Sequence, residues 1–198
     1  MDIPSFLRPL GLAAGPLAVV ALGLEVTALA TAGAGVESSP SAIAASALLL
    51  VVLLGIGAAA FAALIRLREA GRSAGSPALA VVGTVLVAGG TWAALFVLPA
   101  LASEAPDVLE SGNLTSVMIG YIASYVVFAL GWLTTGVALL RSRIVPTWLG
   151  VLVAVGGALA MVPSPETFRL LVISAAASLL AHRLTAPAPE PTRMTAAA

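Results

Sequence analysis

The 198-residue sequence contains no cysteine, no lysine and only one histidine, His182. Without cysteine it cannot form a disulfide, a thiolate nucleophile or an iron–sulfur ligand. Without lysine it cannot form the Schiff base on which retinal-binding pumps and sensors depend. A single histidine excludes multi-histidine metal sites and bis-histidine haem within one subunit. We therefore expect neither a metal ion nor a cofactor.

Charged residues are also scarce. They make up 9% of the chain, whereas soluble domains carry about a quarter. Hydrophobic residues make up 60%, and the mean hydropathy is +1.10. The net charge is zero and no basic cluster of useful size occurs, so a nucleic-acid partner is not expected. This composition indicates a protein that is surrounded by the lipid bilayer.

Six apolar segments separated by turn residues predict an all-α, polytopic transmembrane helix bundle of about six spans. The first segment is too long for a signal-peptide core and contains Glu25, so we expect a retained helix. The fifth lies near the lower limit of about 17 residues for a span. We predict one transmembrane domain at 1–184 and a disordered cytoplasmic tail at 185–198, which is rich in Ala, Pro and Thr. The segments are 10–33, 41–65, 77–101, 115–140, 146–162 and 166–184.

The distribution of arginine predicts the orientation. In a six-span chain, Arg169 alone lies on one side of the membrane, and the other eight arginines lie on the opposite side. The positive-inside rule then places both termini in the cytoplasm. We expect the protein to lie in the inner (plasma) membrane. Residues expected at the membrane interface are Arg66, Arg68, Arg141, Arg143 and Trp148. The eight arginines are Arg8, Arg66, Arg68, Arg72, Arg141, Arg143, Arg183 and Arg193.

Glu25 is the candidate functional residue because it lies inside the first apolar run. A carboxylate at that depth costs several kcal/mol unless it is paired, protonated or wetted. It shares one helix face with small residues, which mark the side where another helix packs closely. Three interpretations stay open: a helix-tying acid bonded to Tyr121 or a backbone carbonyl, a ligand, proton or ion site, and snorkelling. The small-residue face comprises Gly11, Ala14, Ala18, Ala21, Ala28 and Ala32.

Tyr121, Tyr125, Phe128 and Trp132 follow one another at helical spacing along the fourth segment. Such a stripe serves either as packing or lipid contact or as a binding platform. At a rise of ~1.5 Å per residue, Glu25, Trp92 and Tyr121 reach similar depths in the outer half of the membrane. We therefore predict a cavity that binds a ligand or a proton, lined by Glu25, Thr91, Trp92, Tyr121 and Tyr125.

The segment from Leu140 to Gly150, with the sequence LRSRIVPTWLG, resembles a recurring junction in a family of uncharacterised bacterial multi-spanning membrane proteins. Members of that family carry a domain-of-unknown-function label, and they resemble this chain in length and in having about six spans. Thr147 stands where the family pattern has arginine. The resemblance implies a fold and no activity. Physically, Arg141 and Arg143 suit anionic headgroups, while Pro146 starts the next helix.

Three functions are compatible with these features. The first is a non-enzymatic accessory or transport-related subunit that binds a lipophilic small molecule or a partner membrane subunit, or that forms a homo-oligomer. Such a subunit would need a partner to supply energy, because no G-x-x-x-x-G-K-[ST] nucleotide-binding motif occurs. The second is an intramembrane enzyme that acts on a lipid or isoprenoid, with Glu25 as general acid. The third is a proton-coupled or ion-conducting role for Glu25.

Overall fold

The computed structural model describes residues 6–31, 39–105, 107 and 115–185. This part of the chain contains six helices and no strand. The predicted all-α class is therefore confirmed. Ala32, Arg193 and all of the predicted tail after residue 185 lie outside the described residues. The helices are α1 (Leu7–Thr31), α2 (Pro40–Glu69), α3 (Gly75–Glu104), α4 (Thr115–Ser142), α5 (Thr147–Leu159) and α6 (Glu166–Leu184).

The helix ends follow local chemistry. Ser39 caps α2 by accepting a 3.2 Å hydrogen bond from the backbone N–H of Ala42, and Pro40 occupies the first helical position, as expected from its fixed φ. After α2, Gly71 takes a positive φ of 66°, a conformation that glycine adopts without steric cost. The N-cap of α6 is Pro165, and no side chain caps the start of this helix.

Five helices form a closed ring in the order α2, α3, α4, α5, α6 and back to α2, and α1 packs against both α2 and α6. Close contacts between helix backbones determine where neighbouring helices cross. A Cβ placed on Gly131 of α4 would lie only 2.5 Å from the backbone nitrogen of Ala80 in α3. Glycine at such a position allows the two backbones to approach.

Aromatic side chains fill the interior of the ring. Phe128 and Trp132 are fully buried, and their ring centroids lie 6.4 Å apart. The indole N–H of Trp132 donates a 3.2 Å hydrogen bond to the hydroxyl of Thr84, so its polar atom is satisfied. Phe128 and Trp132, the second half of the aromatic stripe, therefore pack in the core.

Five of the described helices are long and apolar enough to cross a membrane, and α5 is a shorter apolar helix. Its 13 residues correspond to about 20 Å, whereas the hydrocarbon core is about 30 Å thick. The helix of the fifth segment ends at Leu159, three residues before the predicted end at 162. The protein is a multi-pass membrane protein with a helical bundle.

The two ends of the bundle differ in character. Arg66, near the end of α2, donates hydrogen bonds of 3.0 and 2.9 Å to the carbonyl of Leu184 at the end of α6. Arg72 and Arg141 line one cleft at this same end. We call it the arginine end. Glu25 and Glu166 lie at the opposite end, which we call the carboxylate end.

Candidate functional site

Glu25 lies at the carboxylate end, fewer than two turns beyond the middle of α1. The small residues around it pack inward as predicted: Gly11, Ala14, Ala18, Ala21 and Ala28 are buried. Glu25 itself is half-buried, and its Oε2 accepts a hydrogen bond from the hydroxyl of Thr167 in α6. The carboxyl group therefore joins α1 to the start of α6. Its partner is neither Tyr121 nor a backbone carbonyl.

A second carboxyl group, that of Glu166, accepts hydrogen bonds from hydroxyl groups of two other helices. Its Oε1 accepts a 2.9 Å hydrogen bond from Thr91 of α3 and a 2.8 Å bond from Tyr125 of α4. Thr91 and Tyr125 are both buried. The Thr91 hydroxyl also lies 3.1 Å from the carbonyl of Val87, and its single proton serves one acceptor at a time.

Arg169, one turn further along α6, lies over two tyrosine rings. The centre of its guanidinium is 4.2 Å from the ring centroid of Tyr125 and 5.4 Å from that of Tyr121, within the range of cation–π attraction. One of its terminal nitrogens donates to the hydroxyl of Tyr121. Its Nε is buried without a hydrogen-bond partner, and it has no ion pair with any carboxylate of the described residues. The cation is thus held by aromatic faces.

These contacts bring side chains from α1, α3, α4 and α6 together, and we call the group the polar cluster. It has two carboxyl groups and one guanidinium, so its net charge is −1 if both acids are ionised. The charges of Glu166 and Arg169 both act on Glu25. The cluster therefore combines acid groups, hydroxyl donors and a fixed cation. Its members are Glu25, Thr91, Tyr121, Tyr125, Glu166, Thr167 and Arg169.

An open cleft of about 430 Å³ adjoins the polar cluster. It lies between the first turns of α4 and the segment that follows α5, and its polar part is formed by Arg169, Ser164 and the two tyrosines. We call it the Arg169 cleft. Most of its remaining wall is apolar, and a mainly apolar pocket with a few placed polar groups is typical of small-molecule sites. The apolar wall includes Met118, Ile122, Val126, Ala160, Met161 and Pro163.

Four of the five residues predicted to line the cavity belong to the polar cluster: Glu25, Thr91, Tyr121 and Tyr125. Only the two tyrosines line the Arg169 cleft. Trp92 lies elsewhere. It is 51% exposed and its ring contacts Phe96 at 5.4 Å, so it belongs to the outer surface of α3. Depth alone put it beside Thr91, but a step of one residue rotates a helical side chain by about 100°.

The residues predicted for the membrane interface lie at the arginine end. Arg68, Arg141, Arg143 and Trp148 are exposed, as interfacial anchors require. Arg66 is half-buried because it binds the last carbonyl of α6 and pairs with Glu69 at 3.0 Å. This arginine therefore also has a structural role.

Three cluster residues, Glu166, Thr167 and Arg169, were not among the predicted site residues. The sequence singled out Arg169 only as the one arginine on its side of the membrane. The available signal was their spacing: Glu166 and Arg169 are three residues apart, and i, i+3 neighbours share a helix face. Because Glu25 needs a partner inside the membrane, the helix face that carries Glu166 and Arg169 was a candidate to lie against it.

No curated protein and no solved structure matches this chain. A family model does match, and it covers residues 10–188, which includes all six described helices except the start of α1. The family has no assigned activity, in agreement with the resemblance found from the sequence. This multi-pass membrane protein belongs to the family described as "Domain of unknown function (DUF4386)".

Proposed function

We propose that the protein is a non-enzymatic membrane component that binds a lipophilic small molecule in the Arg169 cleft. One observation carries the proposal: an apolar cleft of about 430 Å³ is lined at one end by the guanidinium-bearing residue Arg169, which forms no ion pair with a carboxylate of the described residues. A guanidinium only donates hydrogen bonds. The ligand that fits is therefore an apolar molecule that carries an acceptor oxygen at one end.

Identification of the molecules that copurify with the protein tests this proposal. The full chain is purified in mild detergent, and bound compounds are quantified by mass spectrometry. Arg169→Gln removes the guanidinium, and Ile122→Trp fills the cleft. Loss of a hydrogen bond to a charged group costs about 1.5–3 kcal/mol, so we expect retention of the bound compound to fall roughly ten- to hundredfold in Arg169→Gln. We expect Ile122→Trp to lower retention as well, because the larger side chain occupies the cleft.

Matched controls leave the cleft intact. Arg183→Gln removes a guanidinium from the other end of α6, where Arg183 is exposed. Ile119→Trp adds the same bulk to α4 at a position that is exposed and does not line the cleft. We expect both controls to retain the compound. If all four variants copurify with the same compounds as the wild type, the proposed function is wrong.

Proton coupling is a second candidate, and Glu166 is the observation that favours it. From the sequence, Glu25 had no second acid to share a proton with, whereas in the structure Glu166 directly precedes Thr167, the residue whose hydroxyl donates to Glu25. Retention of the bound compound should then change with pH in the wild type and become insensitive in Glu25→Gln. Retention that does not depend on pH in the wild type would exclude this role.

We also propose that the arginine end faces the cytoplasm, with the protein in the plasma membrane and both termini inside. The positive-inside rule supports it, because Arg66, Arg68, Arg72 and Arg141 share that end. The chain has no cysteine, so a single introduced cysteine provides the one thiol that a maleimide can label. A membrane-impermeant maleimide should label Ser103→Cys in intact cells and Ser73→Cys only after lysis. The reverse pattern would invert the orientation.

A further inference from the structure

A second cleft, of about 450 Å³, opens at the arginine end between the start of α3 and the last turns of α4. We call it the Arg72 cleft. Its polar wall holds two arginines, Arg72 and Arg141, together with three serines and Thr134. Its apolar wall is formed by α4. The serines are Ser73, Ser76 and Ser142, and the apolar residues are Leu133, Val137 and Ala138.

Local backbone structure holds Arg72 at this cleft. The positive φ of Gly71 turns the chain sharply after α2. The N–H of Arg72 then donates a 2.8 Å hydrogen bond to the carbonyl of Leu67, a pattern typical of a Schellman motif. A Cβ on Gly71 would meet no atom within 4 Å, so the glycine is required here by conformation and not by space.

The cleft has positive charge without a matching negative charge. No carboxylate lines it, and neither Arg72 nor Arg141 forms an ion pair or a side-chain hydrogen bond with the described residues. Glu69, the nearest acid in sequence to Arg72, is paired with Arg66. Two like charges in one cleft repel each other, and an anion placed between them would remove that repulsion.

We propose that the Arg72 cleft binds the phosphate of an anionic phospholipid, with one acyl chain along α4. Guanidiniums bind phosphate oxygens through short, charge-assisted hydrogen bonds. Below them, the apolar wall continues along α4 to Leu130 and Leu133, both of which are exposed and available to an acyl chain. Basic clefts between transmembrane helices at this level are typical sites for anionic headgroups. This site lies at the opposite end from the polar cluster and does not depend on the function proposed above.

Native mass spectrometry of the full chain in detergent tests the proposal. Dioleoyl phosphatidylglycerol and dioleoyl phosphatidylcholine carry the same acyl chains, and only the first has a net negative charge. We expect the wild type to bind one phosphatidylglycerol in preference to phosphatidylcholine, and Arg72→Gln/Arg141→Gln to weaken that binding about tenfold or more. Each single substitution should have an intermediate effect.

The matched control is Arg68→Gln/Arg183→Gln, which removes two exposed arginines from the same end outside the cleft. We expect it to keep the preference within about twofold of the wild type. An equal loss in both double variants would reduce the effect to general surface charge and overturn the site. Inorganic phosphate is added in a separate arm. Competition by free phosphate as strong as that by the lipid would overturn the assignment to a phospholipid.

Discussion

The hydroxyl of Tyr125 donates a 2.8 Å hydrogen bond to Oε1 of Glu166, which joins α4 to the first residue of α6. These helices lie on either side of α5 in the ring. The bond therefore closes the bundle at a level that α5 does not reach. It also fixes the carboxylate that organises the polar cluster.

Disruption of this bond should destabilise the protein. Tyr125→Phe and Glu166→Gln are each expected to lower the free energy of unfolding by about 1–3 kcal/mol, because a hydrogen bond to a charged group is lost or weakened. The double variant should show a coupling energy of roughly 0.5–3 kcal/mol, measured by denaturant titration in mixed micelles. Ser103→Ala is the control, since that hydroxyl bonds only within its own helix. Additive effects of Tyr125→Phe and Glu166→Gln would contradict the contact.

Glu25 should tolerate an amide better than a hydrocarbon. Glu25→Gln keeps an acceptor oxygen for the Thr167 hydroxyl, and we expect its stability to stay within about 1 kcal/mol of the wild type. Glu25→Leu and Thr167→Val each break the bond and should cost about 1–3 kcal/mol. Thermal unfolding in detergent measures the difference, with Thr27→Val as a control for a hydroxyl that bonds within α1. Equal losses in Glu25→Gln and Glu25→Leu would show that charge, and not the acceptor, matters.

The crossing of α3 and α4 should depend on Gly131. In Gly131→Ala the new Cβ would lie 2.5 Å from the backbone nitrogen of Ala80, so we expect a loss of about 1–3 kcal/mol from overpacking. Gly120→Ala adds the same methyl group to α4 where no atom lies within 4 Å. That control should be neutral, or stabilise by up to about 1 kcal/mol through helix propensity. Similar unfolding temperatures for both variants would contradict the close approach.

Arg143 should respond to backbone conformation more than to charge. It ends α4 with a φ of 57°, a left-handed conformation that costs a residue with a Cβ roughly 1–2 kcal/mol. Arg143→Gly is expected to match or exceed the wild-type stability by up to about 1 kcal/mol. Arg143→Val should lose about 1 kcal/mol or more, because a β-branched side chain disfavours this conformation. Arg141→Val, within the regular helix, is the control for charge, and an equal loss there would remove the backbone explanation.

The fold was largely predictable because long apolar segments identify membrane helices. The predicted last helix, 166–184, coincides with α6, and the start of α4 at Thr115 also coincides. The boundary of α5 was not predictable. The apolar run continues beyond Leu159 through Ala160, Met161 and Val162, although the helix ends there.

The site was predictable only in part. Helical spacing showed that Glu25 faces a packed side and that Tyr121 and Tyr125 share a face. Which helices are neighbours depends on three-dimensional packing, and no periodicity in the sequence reports that α1 packs on α6. The Thr167 and Glu166 contacts follow from that packing, so the partners of Glu25 could not be read from its own helix. Trp92 was misplaced for a related reason, since depth does not determine the direction of a side chain.

The shortness of α5 has a consequence for how the Arg169 cleft is reached. Its 13 residues cover about 20 Å, whereas the 28 residues of α4 cover about 42 Å. The wall contributed by Ala160, Met161 and Pro163 therefore begins where α5 has already ended, so the entrance is a notch in the flank of the bundle. A lipophilic molecule that binds there, as proposed, would reach the notch by lateral diffusion among acyl chains. Its occupancy would then depend on its mole fraction in the bilayer, and compounds of equal aqueous concentration but unequal partition coefficient should fill the notch unequally.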